Sequence, residues 1–174
     1  VLVGAGFDTR GLRMKEIEAR GAKVFEIDTP YQLDRKRRAL AAAGVTVPRR
    51  IAYVPFDFDT RDLDAELGGA LEVAGFEPGV GAMFVWEGVI GYIDDAAIDQ
   101  SLRFMAKVGG PGSRVALTFA DEAHLGTEPM ATRTKRCGYA TFESIAGDAL
   151  WRMYLPSEPH PNAAVTRVGL ATTK

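Results

Sequence analysis

Short apolar runs that stop at glycine or at an acidic residue alternate, through the first two thirds of the chain, with longer segments of mixed polarity. The runs at 1–3, 24–27, 51–56, 82–86 and 114–119 have the length and bounding residues of buried strands. Pro55 is tolerable in such a strand only near its end. Between the runs, helix signals recur: Thr9 as a cap for 11–20 with Gly21 as the stop, then Thr29-Pro30 opening a helix to residue 43 that closes at Gly44. A helix over 62–74 follows, shortened or kinked by Gly68-Gly69, since each glycine costs roughly 1 kcal/mol relative to alanine. Asp94 caps the next helix, with Ile98, Leu102 and Met105 on one face and Gly109-Gly110-Pro111-Gly112 at its end.

Strand-helix alternation with short connections predicts a parallel sheet covered on both faces, because each right-handed crossover returns the chain to the same edge. Further on, the pattern predicts strands at 139–145 and 165–172, a short helix at 149–154 and a proline-rich loop at 156–161. No internal repeat or low-complexity tract is present, which favours catalysis or small-ligand binding.

Composition narrows the class. At 174 residues the chain is expected to form a single core over 1–174. With a formal charge of -2 it has no electrostatic reason to hold nucleic acid, and no apolar run is long enough for a membrane span. Cys137 is the single cysteine and reads as a partly buried thiol; no metal site is expected, and the cytoplasm is the expected compartment. The chain opens on Val1 rather than Met, so natural sequence is expected upstream.

The run Arg35-Lys36-Arg37-Arg38 spreads around one helical turn and reads as a solvated face. In an open α/β sheet, ligands lie across the carboxyl ends of the strands, so the informative residues are those that follow each run. Gly4 and Gly6 allow close approach to backbone N–H groups at a helix start, which suits a carboxylate or phosphate, although such turns also serve geometry alone. Asp28 stands where an acidic residue grips ribose hydroxyls in nucleotide-binding sheets. Thr9 replaces the third small residue of the dinucleotide fingerprint, which weakens a pyrophosphate reading. S-adenosylmethionine has no pyrophosphate; its adenine offers an amino group to Asp57 and a ring nitrogen to the Phe58 N–H. Asp57 is otherwise a turn residue in an acidic loop with Asp59 and Asp62.

Four strings, Gly-Ala-Gly-Phe-Asp-Thr-Arg at 4–10, Phe-Glu-Ile-Asp-Thr-Pro at 25–30, Pro-Phe-Asp-Phe at 55–58 and Trp-Glu-Gly-Val-Ile-Gly-Tyr-Ile at 86–93, resemble the leucine carboxyl methyltransferase family, and within it the actinobacterial S-adenosylmethionine-dependent branch. The resemblance runs from residue 1 to about 119 and implies a class I methyltransferase fold: a Rossmann-like three-layer sandwich whose seven-stranded sheet, ordered 3-2-1-4-5-7-6, is mostly parallel with an antiparallel last strand. It implies S-adenosyl-L-methionine as cofactor, with Asp28 on the ribose, Asp57 and Phe58 on the adenine, Gly4 and Gly6 beside the methionine half and Glu87 near its amino group or sulfonium, a helix-turn or ion-pair carboxylate being the other reading of Glu87. The family's N-terminal segment, with its basic residue for the methionine carboxylate, is not in this sequence; Arg10 is expected to substitute for it in part. The family's helical lid is short at 121–137.

The resulting expectation is methyl transfer to a carboxylate or hydroxyl of a small molecule or peptide. A carboxylate acceptor is ionised at neutral pH and needs no general base. Tyr92 is the candidate for lining the acceptor site, with simple packing as its other reading. His124 is a candidate base only for a hydroxyl acceptor, and His160 reads as loop. The rival readings are a nicotinamide-dependent oxidoreductase, suggested by the glycines and Asp28, and a non-catalytic S-adenosylmethionine-binding scaffold, suggested by the short lid.

Overall fold

The structure, a computed structural model, describes residues 1–58, 62–120 and 128–174. They form two compact units, Val1–Glu77 and Pro78–Lys174.

In the first unit, β1 (Leu2–Val3) and β3 (Ile51–Pro55) lie on either side of β2 (Val24–Asp28), all parallel. The register pairs Leu2 with Glu26 and Asp28 with Pro55. Pro55 is thus the last residue of its strand, where its missing N–H costs nothing to the ladder. Helix α3 (Pro30–Ala42) starts as its sequence dictates: the Thr29 hydroxyl accepts from the Gln32 N–H at 3.2 Å, and Pro30 supplies a preset φ at the first position. Ile27, Val54, Phe56, Leu67 and Leu71 are buried, and Phe25 meets Phe76 edge to face at 5.3 Å.

Three expectations in this unit change. The helix over 11–20 is two short helices, α1 (Arg10–Arg13) and α2 (Lys15–Ala19), separated by Met14 in an extended conformation (φ −85°, ψ 104°). Thr9 makes no side-chain cap; the stronger acceptor next to it, the Asp8 carboxylate, takes the Arg10 N–H at 2.7 Å. The helix over 62–74 begins under the Asp62 cap, which accepts from the Ala65 N–H at 2.9 Å, as a π-helical turn (Leu63–Leu67) before becoming α4 (Gly68–Val73). The change of winding falls at Gly68-Gly69, where helical propensity is weakest.

The basic run 35–38 is also not a uniformly solvated face. Arg35 lies over the rings of Phe7 and Tyr31, Arg37 over Tyr53 at 4.5 Å, and Arg38 pairs with Asp34 at 2.8 Å. Lys36 is only 1% exposed, because it follows Leu33 by three residues on the inward side of α3.

In the second unit, β4 (Met83–Trp86) runs parallel to β5 (Arg114–Ala120), and β7 (Thr166–Thr173) pairs antiparallel with both β5 and β6 (Tyr139–Ala146). The two units hold the strand sequences 3-2-1 and 4-5-7-6, as the family resemblance implies. Helix α5 (Asp95–Gly109) is capped by Asp94, which accepts from the Ala97 N–H at 2.8 Å, and buries Ile98, Leu102, Met105 and Val108. It ends at Gly110 with φ +79°. Helices α6 (Met130–Arg136) and α7 (Gly147–Tyr154) flank β6 in the chain. Arg133, at the inner side of α6, is ion-paired with Asp95, Asp99 and Glu128.

Candidate functional site

The turn after β1 is built from backbone that only glycine adopts cheaply: Gly4 has φ +68° and Gly6 φ +45°. A side chain on Gly6 would meet only the Gly4 carbonyl, at 4.0 Å, so the space beside it is open. The Ala5 N–H donates to the Ile27 carbonyl at 2.9 Å, which extends the β1–β2 ladder by one bond, and the Asp8 N–H donates to the Ala5 carbonyl at 2.8 Å.

Asp28 joins this turn to β2. Its Oδ2 accepts from the Gly6 N–H and its Oδ1 from the Thr29 N–H, each at 2.7 Å, while its carbonyl accepts from the Phe56 N–H at 2.9 Å. One half-buried residue thus ties together the glycine turn, the start of α3 and the end of β3. Asp28 is the last residue of its strand rather than the residue after it. Asp57 and Phe58 follow Pro55, the register partner of Asp28, so both lie just beyond the mouth of the neighbouring strand. The Phe58 ring rests edge-on against Phe56 at 5.2 Å. Arg10 is paired with Asp8 at 3.0 Å.

A buried ion pair escaped the sequence reading. Lys36 Nζ contacts Glu26 Oε2 at 2.5 Å and also donates to the Asp8 carbonyl, in the glycine turn. Burial pushes the Glu26 carboxyl above its ordinary value, with the hydrogen bond and charge of Lys36 opposing. A glutamate inside the apolar run Val-Phe-Glu-Ile, with a lysine three residues after Leu33, is the signal that could have exposed the pair.

In the second unit, Glu87 follows Trp86 at the end of β4 and is exposed, and the next residue, Gly88, donates its N–H to Thr118 Oγ1 at 2.9 Å. Tyr92 lies in a short 3₁₀ turn (Ile90–Tyr92) and is 88% exposed, so core packing does not account for it. His160 is a loop residue whose Nδ1 accepts from the Asn162 N–H at 3.2 Å. His124, Asp59 and residues 121–127 of the lid segment lie outside the described residues. Cys137 is fully rather than partly buried, and burial pushes its thiol up. Among the described residues, no group of His, Cys, Asp and Glu could hold a metal ion and no helix is long and apolar enough to cross a membrane.

A model of the leucine carboxyl methyltransferase family matches residues 1–106. A provisionally named S-adenosyl-L-methionine-dependent methyltransferase of Mycolicibacterium gilvum is 35% identical over 117 residues, which are 67% of this chain and 36% of the relative. Another from Mycolicibacterium smegmatis is 35% identical over 141 residues, 78% of this chain and 42% of the relative. The chain therefore spans well under half the length of these curated relatives. Among solved structures, the S-adenosylmethionine-dependent methyltransferase SibL aligns over 99% of this chain and 49% of that one, with a TM-score of 0.60 at 16% identity. That likeness shows the fold, the α/β fold of class I methyltransferases. Matched by the family model over more than half its length and 35% identical to a relative across 78% of it, the chain belongs to the leucine carboxyl methyltransferase family.

Proposed function

We propose that this chain is the donor-binding core of an S-adenosyl-L-methionine-dependent methyltransferase that acts on an oxygen acceptor, a carboxylate or hydroxyl of a small molecule or peptide. The observation that carries the reading is the bond from the Gly6 N–H to the Asp28 carboxylate, which makes the glycine turn and the strand-end acid one rigid feature.

The residues fit an adenosine-containing ligand. Each Asp28 oxygen has accepted one backbone N–H and keeps a second lone pair, enough to receive the two ribose hydroxyls. Asp57 accepts from the adenine amino group and the Phe58 N–H donates to a ring nitrogen, one strand over. Gly6 leaves room for the methionine half, with Gly4 in the same turn, and the family resemblance assigns Glu87 to that half's amino group or sulfonium. Arg10 shares its charge between Asp8 and the methionine carboxylate.

When bound, the sulfonium supplies an electrophilic methyl group for in-line displacement by the acceptor oxygen. The chain's own part is positioning: it fixes the donor through backbone and carboxylate groups that are already held in place, so little ordering cost remains at the moment of reaction. A carboxylate acceptor fits best, because it is ionised at neutral pH and requires no base. Tyr92, exposed beyond β4, lines the acceptor side.

Calorimetric titration with S-adenosylhomocysteine, followed by a transfer assay with labelled donor against a panel of carboxylic acids and alcohols, tests the reading. One-to-one binding and label on a carboxylate are expected. Binding without transfer to any acceptor favours a scaffold, and absence of binding removes the donor assignment.

A further inference from the structure

The Glu26–Lys36 pair is an uneconomical way to stabilise a core. Both side chains are completely buried, at 0% and 1% exposure, and among the described residues Glu26 Oε1 has no hydrogen-bond partner. An ion pair so incompletely satisfied is often matched or bettered by apolar residues of similar volume. What the pair does that apolar residues cannot do is hold a carbonyl. Lys36 Nζ, fixed from one side by Glu26, donates to the backbone oxygen of Asp8.

The site of that bond gives it meaning. Glu26 and Asp28 are two residues apart on β2 and therefore share a face of the strand. Asp28 holds the turn by the Gly6 N–H, and Glu26, through Lys36, holds it by the Asp8 carbonyl. The irregular stretch 6–8 is thus pinned at both ends to one strand, although it belongs to no helix or strand and Gly6 stands at φ +45°.

We propose that Lys36 is a positioning residue for the methyl donor: it clamps the Asp8 carbonyl to β2 through Glu26 and so holds the glycine turn in the shape that receives the methionine half. This rests on the donor reading above. It concerns the methionine half alone, since the ribose and adenine groups are assigned to Asp28, Asp57 and Phe58.

Two probes separate the halves of the donor: S-adenosylhomocysteine, and 5′-methylthioadenosine, which keeps the adenosine and sulfur but lacks the amino and carboxylate groups. Lys36→Met is expected to raise the dissociation constant for S-adenosylhomocysteine about tenfold or more while leaving that for methylthioadenosine unchanged, the scale of a lost hydrogen bond to a charged group. Glu26→Gln keeps an acceptor for Lys36 and is expected to cost less S-adenosylhomocysteine affinity than Lys36→Met, with methylthioadenosine binding unchanged. Lys36→Met leaves a buried carboxylate unpaired, so the double variant Glu26→Gln/Lys36→Met repeats the measurement without either charge. It is expected to show the same selective loss. Equal losses for both probes, or none for either, overturn the inference while the donor reading stands. So does failure of both Lys36 variants to fold, which makes the pair a folding determinant only. A wild-type chain that binds neither probe removes the donor reading and this inference together.

Discussion

Asp28 has two structural bonds to lose besides its proposed ligand. Its carboxylate accepts from Gly6 and Thr29, so Asp28→Ala strips an acceptor from two backbone donors as well as from the proposed ribose hydroxyls. S-adenosylhomocysteine binding is expected to weaken by about 1–3 kcal/mol, the scale of hydrogen bonds to a charged group, and unfolding in urea to shift to lower denaturant. An unchanged dissociation constant takes Asp28 out of the site. Glu26 makes a separate prediction in pH. Its carboxyl is held above the ordinary glutamate value, so the folded chain binds that proton more tightly than the unfolded chain. Its contribution to stability is present in full below the ordinary value and is lost as the pH rises through the raised one. Stability curves of the wild type and Glu26→Gln should therefore converge towards acid and diverge towards neutrality, the wild type declining more; parallel curves refute this. The place of Asp28, at a strand end beside the glycine turn, was legible in the sequence because both are local signals. Lys36 was not, because its partners are ten residues away on β2 and twenty-eight away in the turn, and a run of four basic residues resembles a solvated surface.

Elements with chemistry at both ends were predicted almost to the residue. Helix α5 carries its own start and stop: the Asp94 carboxylate on the Ala97 N–H, and Gly110 in left-handed backbone. Asp94→Ala should cost about 1 kcal/mol of unfolding free energy, the usual worth of such a cap. Gly110→Ala should cost more, roughly 2 kcal/mol or above, since φ is +79° and the new Cβ would lie 2.5 Å from the Gly79 Cα, where backbone must move. Chemical denaturation of the two variants checks both values; a Gly110→Ala change no larger than the Asp94→Ala change contradicts the geometry. Where an end signal had a competitor, prediction failed. Thr9 lost its cap to the neighbouring Asp8, and the apolar spacing of 11–20 does not register the extended Met14 that divides α1 from α2. The π-helical turn before α4 follows from weak propensity at Gly68-Gly69, which announces irregularity but not its kind.

At the scale of the whole molecule, strand-helix alternation suffices for an α/β sheet but does not choose a ligand; the glycines and Asp28 suit a dinucleotide almost as well as a methyl donor. The four strings at 4–10, 25–30, 55–58 and 86–93 made that choice, and the family match over residues 1–106 covers all of them. Ligand linkage turns the choice into a measurement. A ligand that binds only the folded chain stabilises it by about 2.7 kcal/mol at a hundred times its dissociation constant. For a domain of this size each kcal/mol is worth about 2–4 °C, so saturating S-adenosylhomocysteine should raise the melting temperature by roughly 5–10 °C. Asp28→Ala should shrink that rise at the same ligand concentration, because weaker binding lowers the degree of saturation. Reduced nicotinamide dinucleotide should give no rise, since Thr9 stands where the dinucleotide fingerprint asks for a third small residue, the one that lets helix and strand pack closely. The reverse result, a rise with the dinucleotide and none with S-adenosylhomocysteine, would reassign the glycine turn and Asp28 to hydride-transfer chemistry.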